Sequence, residues 1–167
     1  LQRAYWIGRD PHQPLGGVGC QTYLEFADTH LEPDRLREAL TALTHRHAML
    51  RSRFPDAEHY VIDPAPARVS LPVHIVTTAD TDRHLEQVRT RLRNRRFDPV
   101  AGDVWAVELT ITPQTSVLHM AVDLIIADIT GLGILVRDLA ALYRGAELPE
   151  AEFRLAPTFS AVPVVDA

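Results

Sequence analysis

Apolar positions recur at helical spacing, about every 3.6 residues, in three stretches of the chain. The first, Leu31 to Arg46, puts Leu36, Ala39, Leu40 and Leu43 on one face, with Pro33 suited to the first turn and Asp34 and Glu38 toward the N-terminal end. It is predicted to end near His47, with Met49 to Phe54 leading into an extended segment. The second, Asp80 to Arg95, carries a stripe of Leu85, Val88 and Leu92, with Asp80 or Thr81 as its cap. The third, Thr130 to Arg144, runs through Ile134, Leu135, Asp138, Leu139 and Leu142 and stops at Gly145.

Between these helices lie segments with strand character. Val18 to Ala27 has alternation and aromatic content, and Glu58 to Asp63 and Pro72 to Thr77 are shorter candidates divided by the loop D-P-A-P-A. Val104 to Thr112 and Ser116 to Val122 are predicted to form a hairpin through P-Q-T. From Leu148 onward the Pro-spaced sequence gives no clear element, and no internal repeat is visible. This order lacks the strict alternation of a doubly wound parallel sheet. It predicts a mixed α/β fold (α+β, two-layer) in which a mixed sheet carries helices packed on one face.

With 167 residues, 46% of them hydrophobic and 23% charged, the chain can build a real core as one domain or one lobe of a larger one. No apolar run reaches the roughly 18 residues of a membrane span, and no signal peptide opens the chain. A single cysteine, Cys20, excludes an internal disulfide and a Cys-based zinc cluster, and it is expected to be a buried small apolar residue. These features favour the cytoplasm. The net charge of −5 argues against nucleic acid. All 17 basic residues are Arg, a bias of codon usage in a GC-rich genome, and the start at Leu1 is expected of a segment of a longer polypeptide.

Candidate chemistry concentrates in A-V-D-L-I-I-A-D-I-T-G-L-G, Ala121 to Gly133, where Asp123 and Asp128 interrupt an apolar run. A buried carboxylate costs several kcal/mol unless it is neutralised or well hydrogen-bonded. Asp128 precedes a helix and can cap it. The two acids can also form an acid/base pair with divided pKa values. A metal site is a third reading, although no His or further acid lies near in sequence to complete it. Spacing alone leaves the three open.

Flanking segments add a resemblance. L-Q-R-A-Y-W-I-G-R is similar to a Q-x-A-Y-x-x-G-R motif through Gln2, Ala4, Tyr5, Gly8 and Arg9. R-H-A-M-L-R-S-R-F, Arg46 to Phe54, resembles R-H-x-M-L-x-x-x-F, and D-L-I-I-A-D resembles D-x-x-x-x-D-x-x-S. F-D-P-V-A-G-D-V-W, Phe97 to Trp105, looks like the segment before the central strand. In this order the motifs resemble the N-terminal lobe of heterocyclization domains of nonribosomal peptide synthetases. These domains are a branch of the condensation superfamily with the chloramphenicol-acetyltransferase-like fold. Residues 1–147 read as that lobe, and 148–167 as an irregular tail toward a second lobe or the next domain.

The resemblance implies a meaning for the acid pair. Ordinary condensation domains carry H-H-x-x-x-D-G here; Asp123 stands at the first His, Leu124 at the second and Asp128 at the Asp. Leucine cannot carry a proton, so the superfamily's usual base is absent. Asp128 is expected to be buried and ion-paired, and Asp123 to line or brace the tunnel between two lobes. Arg9 is the favoured partner of either acid, with Arg46 and Arg137 as alternatives. Gly131 replaces the final Ser of the signature, so Thr130 either substitutes for it or the site is degraded. After the third helix the family's F-x-D-Y is replaced by Phe153-Arg154-Leu155-Ala156.

A complete relative would join an upstream acyl group to a Cys, Ser or Thr carried on a second carrier protein. It would then cyclise and dehydrate the product to a thiazoline or oxazoline, part of natural-product biosynthesis. A Thr and an Asp of a second lobe are associated with that dehydration. The phosphopantetheine arms belong to the carrier proteins, so the chain is expected to bind no cofactor or metal of its own. Carrier proteins and neighbouring synthetase domains are the implied partners, with self-association through an exposed lobe interface. The alternative is a truncated, inactive lobe serving as a platform for those partners.

Other candidates have plainer readings. His47 is expected to anchor the helix end, His119 to be a satisfied core histidine, and Tyr5 and Trp6 to pack at the lobe boundary. Arg89, Arg91, Arg93, Arg95 and Arg96 read as a solvated face, or as a surface that attracts an acidic carrier.

Overall fold

Alternation along one strand organises the lobe. The computed structural model describes residues 2–14 and 16–149, and the backbone of 164–166. In chain order the elements are α1 (Gln2–Ile7), β1 (Gln21–Asp28), α2 (Pro33–Arg46), β2 (Ser52–Arg53), β3 (Tyr60–Ile62) and β4 (Val73–Ile75). There follow α3 (Thr81–Arg93), β5 (Trp105–Ile111), β6 (Ser116–Asp123), α4 (Ile129–Tyr143) and β7 (Val164–Asp166).

The main sheet has the order β1-β6-β5-β4. β6 pairs antiparallel with β1 and β5, whereas β4 pairs parallel with β5. A parallel pair needs a crossover, and α3 supplies it between β4 and β5. The β5–β6 hairpin closes where Thr112 Oγ1 accepts the N–H groups of Gln114 and Thr115. β2 and β3 form a small separate sheet that β7 joins in parallel.

Every residue of β6 is buried, so both of its faces are covered. Leu118, Met120 and Val122 look toward the larger core with Leu24, Phe26 and Val107, where α2 brings Leu36, Leu40 and Leu43 and α4 brings Leu132, Leu135 and Leu139. On the opposite face Ala121 meets Val88 and Leu92 of α3 and Phe97. The mixed sheet with packed helices is as expected. The single covered face is not: α2 and α4 occupy one side and α3 the other, because the α3 crossover must return over the sheet.

Several local expectations shift. The segment after α2 begins as a 3₁₀ turn, Ala48–Arg51, which buries Leu50 before the chain extends. Asp80 occupies the cap position of α3 without a side-chain capping bond, since its carboxylate accepts from Thr77 Oγ1 at 2.9 Å and pairs with Arg83. The tail holds a strand, β7, built on the β-branched Val164 and Val165. The Phe153–Ala156 motif lies outside the described residues. Gly145, with φ +81, ends α4 in the left-handed region. Among the described residues no helix is long and apolar enough to cross a membrane.

Leu40 is fully buried between α2 and the sheet. Leu40→Ala is expected to cost about 2–5 kcal/mol, read as a lower midpoint in urea unfolding with an unchanged slope.

Candidate functional site

The strand phase that sends Val122 into the main core turns Asp123 the other way, at the end of β6. Its side chain is only 1% exposed. A buried acid needs partners, and the N-terminal motif provides one: Arg9, just past α1, pairs through Nη2 with Asp123 Oδ2. The other oxygen, Oδ1, accepts the backbone N–H of Ile125 at 2.9 Å. Both oxygens are therefore committed within the fold.

The guanidinium reaches this position because the chain opposite it has no side chain. A Cβ on Gly19 would lie 2.6 Å from Arg9 Nη1 and 3.0 Å from its Cζ. The adjacent backbone completes the clamp, with Leu124 N donating to Cys20 O and Asp123 N to Val104 O, each at 2.9 Å. Gln2 Nε2 donates to Ile125 O at 3.0 Å, so the N-terminal segment holds the loop twice, from α1 and from Arg9.

Asp128 has a different role. It is exposed, caps α4, and accepts the N–H of Gly131 on Oδ1 at 2.7 Å. The expectation that Asp128 is buried and ion-paired is overturned: Asp123 is the buried, paired acid, and Asp128 satisfies the free N–H groups of a helix start from the solvent side. A Cβ on Gly131 would sit 3.3 Å from Asp128 Oδ1, a tight approach that glycine relieves. Thr130 is exposed on the first turn of α4.

The other two candidate arginines serve a third acid. Arg46 Nε donates to Asp138 Oδ2 at 2.9 Å, Arg137 donates to Oδ1 from Nε at 3.0 Å and from Nη2 at 2.8 Å, and His47 Nε2 lies 2.9 Å from Oδ2. Arg46 and Arg137 thus do not reach Asp123 or Asp128. Asp138 is 1% exposed on its side chain; burial raises its pKa, but the bonds from Arg137, Arg46 and His47 outweigh that and hold it below the usual carboxylate value. Burial lowers the pKa of His47 despite Asp138 beside it. This cluster locks the end of α2 to α4. Its signal was a carboxylate in the apolar phase of α4, between Leu135 and Leu139.

His119 is a core group, fully buried. Its Nε2 lies 3.0 Å from Thr110 Oγ1 and its Nδ1 2.6 Å from Tyr23 Oη, which in turn donates to Glu25 at 2.9 Å. A neutral ring that accepts from Thr110 and donates to Tyr23 satisfies the whole chain of bonds. Burial pushes its pKa down to about 4.

Asp123 and Leu124 lie at the floor of an open cleft of about 920 Å³. Trp6, Arg9, Gln21 and the segment Arg93 to Val100 line it as well, with Gln21 Nε2 donating to Arg93 O. Cys20 is exposed at this rim and not buried, since only its backbone is used to hold Leu124. Nor is the arginine run merely solvated. Arg89 pairs with Glu25, Arg91 with Glu108 and Arg95 with Asp103, while Arg93 stacks over Tyr23 at 5.3 Å. Among the described residues no group of three or more His, Cys, Asp or Glu is placed to hold a metal ion.

The mixed sheet, its helices and the acid-bearing loop at the cleft define a condensation-type lobe of the chloramphenicol-acetyltransferase-like fold. It superposes on the EpoB cyclization-docking bidomain from Sorangium cellulosum with a TM-score of 0.80 and 26% identity, over 91% of this chain and 31% of that one. The chain belongs to the condensation-domain family, whose profile matches residues 19–155. It is 38% identical over its whole length to phenyloxazoline synthase MbtB of Mycolicibacterium paratuberculosis, and 30% identical over 92% of its length to pyochelin synthetase PchE of Pseudomonas aeruginosa. It spans 15% of the first and 11% of the second. These relatives and neighbours make it part of a condensation or heterocyclization domain of a nonribosomal peptide synthetase.

Removing Asp123 strands the Arg9 charge in a largely buried place, so Asp123→Ala is expected to cost about 3–5 kcal/mol. Asp128→Ala removes one exposed cap and is expected to cost about 0.5–2 kcal/mol. Urea unfolding of both variants checks the order. Gly19→Ala is expected to destabilise the chain strongly when Arg9 is present and only weakly in an Arg9→Ala background, which a double-mutant cycle measures.

Proposed function

We propose that this lobe serves a heterocyclization domain that condenses two carrier-bound substrates and then closes an azoline ring. The amine of a carrier-bound Cys, Ser or Thr attacks the upstream thioester carbonyl, forming an amide and releasing the upstream carrier thiol. The side-chain thiol or hydroxyl then adds to the amide carbonyl, and loss of that oxygen as water gives a thiazoline or oxazoline. The observation that carries this reading is Leu124 on the cleft floor, at the position where a condensation base would stand, beside an acid with both oxygens engaged. In this reading the motif loop shapes the tunnel, and the proton transfers of dehydration fall to groups of the second lobe. Asp123 braces the tunnel, Asp128 and Thr130 stand at the start of α4, and Arg9 is a positioning residue.

The cleft suits the arm of a carrier protein. Arg96, with Arg95 beside it on Asp103, offers a guanidinium group to a phosphodiester, and Trp6 and Val100 offer apolar surface to the stem. Holding both thioesters in one tunnel raises their effective concentration, the source of much of the rate. The same arginines would steer an acidic carrier from solution. Exposed Ile129 and Ile134 on α4 support a contact with a neighbouring synthetase domain or a second copy. A cytoplasmic setting belongs to the same proposal.

A second reading, a non-catalytic platform, is favoured by one fact: both motif acids are used structurally. One experiment separates the two. Intact-protein mass spectrometry of loaded carriers, mixed with the full synthetase domain that contains this lobe, is expected to show a condensed product that has lost one water. The isolated chain is expected to yield none. Condensation without water loss would overturn the ring-closing assignment, and no condensation at all would leave the platform as the function.

A further inference from the structure

A polar layer flanks the apolar contact of α3 with the sheet, and the cleft loop makes no use of it. From β4, β5, β6 and β1 in turn the sheet presents His74, Glu108, His119 and the pair Tyr23 and Glu25. Onto these α3 lays His84, Arg89, Arg91 and Arg93. His74 Nε2 lies 2.9 Å from Glu108 Oε2, which also accepts from Arg91. The His74 and His84 rings are 5.0 Å apart, and His84 Nε2 is buried with no hydrogen-bond partner. Arg89 donates to both oxygens of Glu25, at 2.8 and 2.6 Å. His119 sits between these groups with its neutral ring fully bonded.

The apolar grip beneath this layer is small. α3 buries only Val88 and Leu92, whereas α2 and α4 share the main core. A proton on His84 would set a cation against His74 and Arg91, with only Glu108 opposing. A proton on His119 would place a charged ring in a fully buried position beside Arg89 and His84, with Glu25 and Glu108 opposing. Elements with few buried contacts and many charged ones open at lower free energy than the rest of a fold.

We propose that α3, with the Arg93–Phe97 wall of the cleft that it carries, is a releasable element: proton uptake by His84 and His119 detaches it from the sheet while the α2–α4 core remains folded. Burial lowers the pKa of both groups, His119 to about 4, so the attached state binds these protons less readily than the released one. Release is therefore favoured as pH falls below the ordinary histidine value, for His119 down to about 4, by up to about tenfold per pH unit for each proton taken up. Glu25, held at about 2 by the Arg89 bonds, titrates below this window and is not the trigger. Because α3 ends in the cleft wall, its release opens the cleft. The device rests on the fold alone and stands or falls apart from the ring-closing reaction.

Hydrogen exchange of the whole chain, read by mass spectrometry and corrected for intrinsic rates, tests it between about pH 7.5 and about pH 4.5. Thr81–Arg93 is expected to lose at least about tenfold more protection than Pro33–Arg46 and Ile129–Tyr143. His84→Asn and His119→Gln are each expected to flatten that pH dependence. Loss of protection in all three helices together, retention by α3 throughout, or an unchanged pH dependence in the variants would each overturn the proposal. If His119→Gln fails to fold by circular dichroism, His84→Asn at its half-buried site carries the comparison.

Discussion

The pairing of Arg9 with Asp123 anchors everything around the cleft floor. It joins the first helical turns of the chain to the end of the central strand, across 114 residues of sequence. Arg9 Nε stays buried without a bond, so the guanidinium is not fully satisfied and depends on the carboxylate for its place. A buried pair of this kind adds little net stability over a well-packed apolar alternative, but losing one member leaves an uncompensated charge. The glycine at position 19, the backbone bond from Leu124 to Cys20 and the Gln2 contact all follow from keeping that pair closed. An acid so engaged holds its loop in place, with Leu124 beside it lining the cleft.

Local patterns carried much of the architecture. Leu36, Ala39, Leu40 and Leu43 were enough to place α2, and the breaker P-Q-T between two β-rich runs was enough for the hairpin. Element ends moved by a few residues where side chains bonded locally, as Ser52 does back to Met49. The second covered face was legible in principle, because β6 has no polar phase exposed to water. Its own His119 and the Thr110 of β5 look like a solvated side until α3 is laid over them.

The site was harder to read because its partners are far apart in sequence. Which of Asp123 and Asp128 points inward follows from strand phase for the first and helix start for the second; the resemblance suggested the opposite assignment. Asp138 could have been found, since a carboxylate on the apolar stripe of a helix must be neutralised, and Arg46 and His47 are the motif residues that do so. The α3 arginines Arg89 and Arg91 could not have been matched to Glu25 and Glu108 without the sheet order. Their pairing turns a run of like charges into the fastening of one helix.

The chain's two tryptophans both pack against the main core, but only one of them also reaches the cleft. Trp6 lies in the cleft lining, while Trp105 is tied through its indole N–H to Leu50 O at 2.9 Å. Their fluorescence is therefore divided by place: the emission of Trp6 follows solvent and occupants in the cleft, and that of Trp105 follows the integrity of the interior. Replacing either one by phenylalanine leaves a single-colour optical gauge of the other.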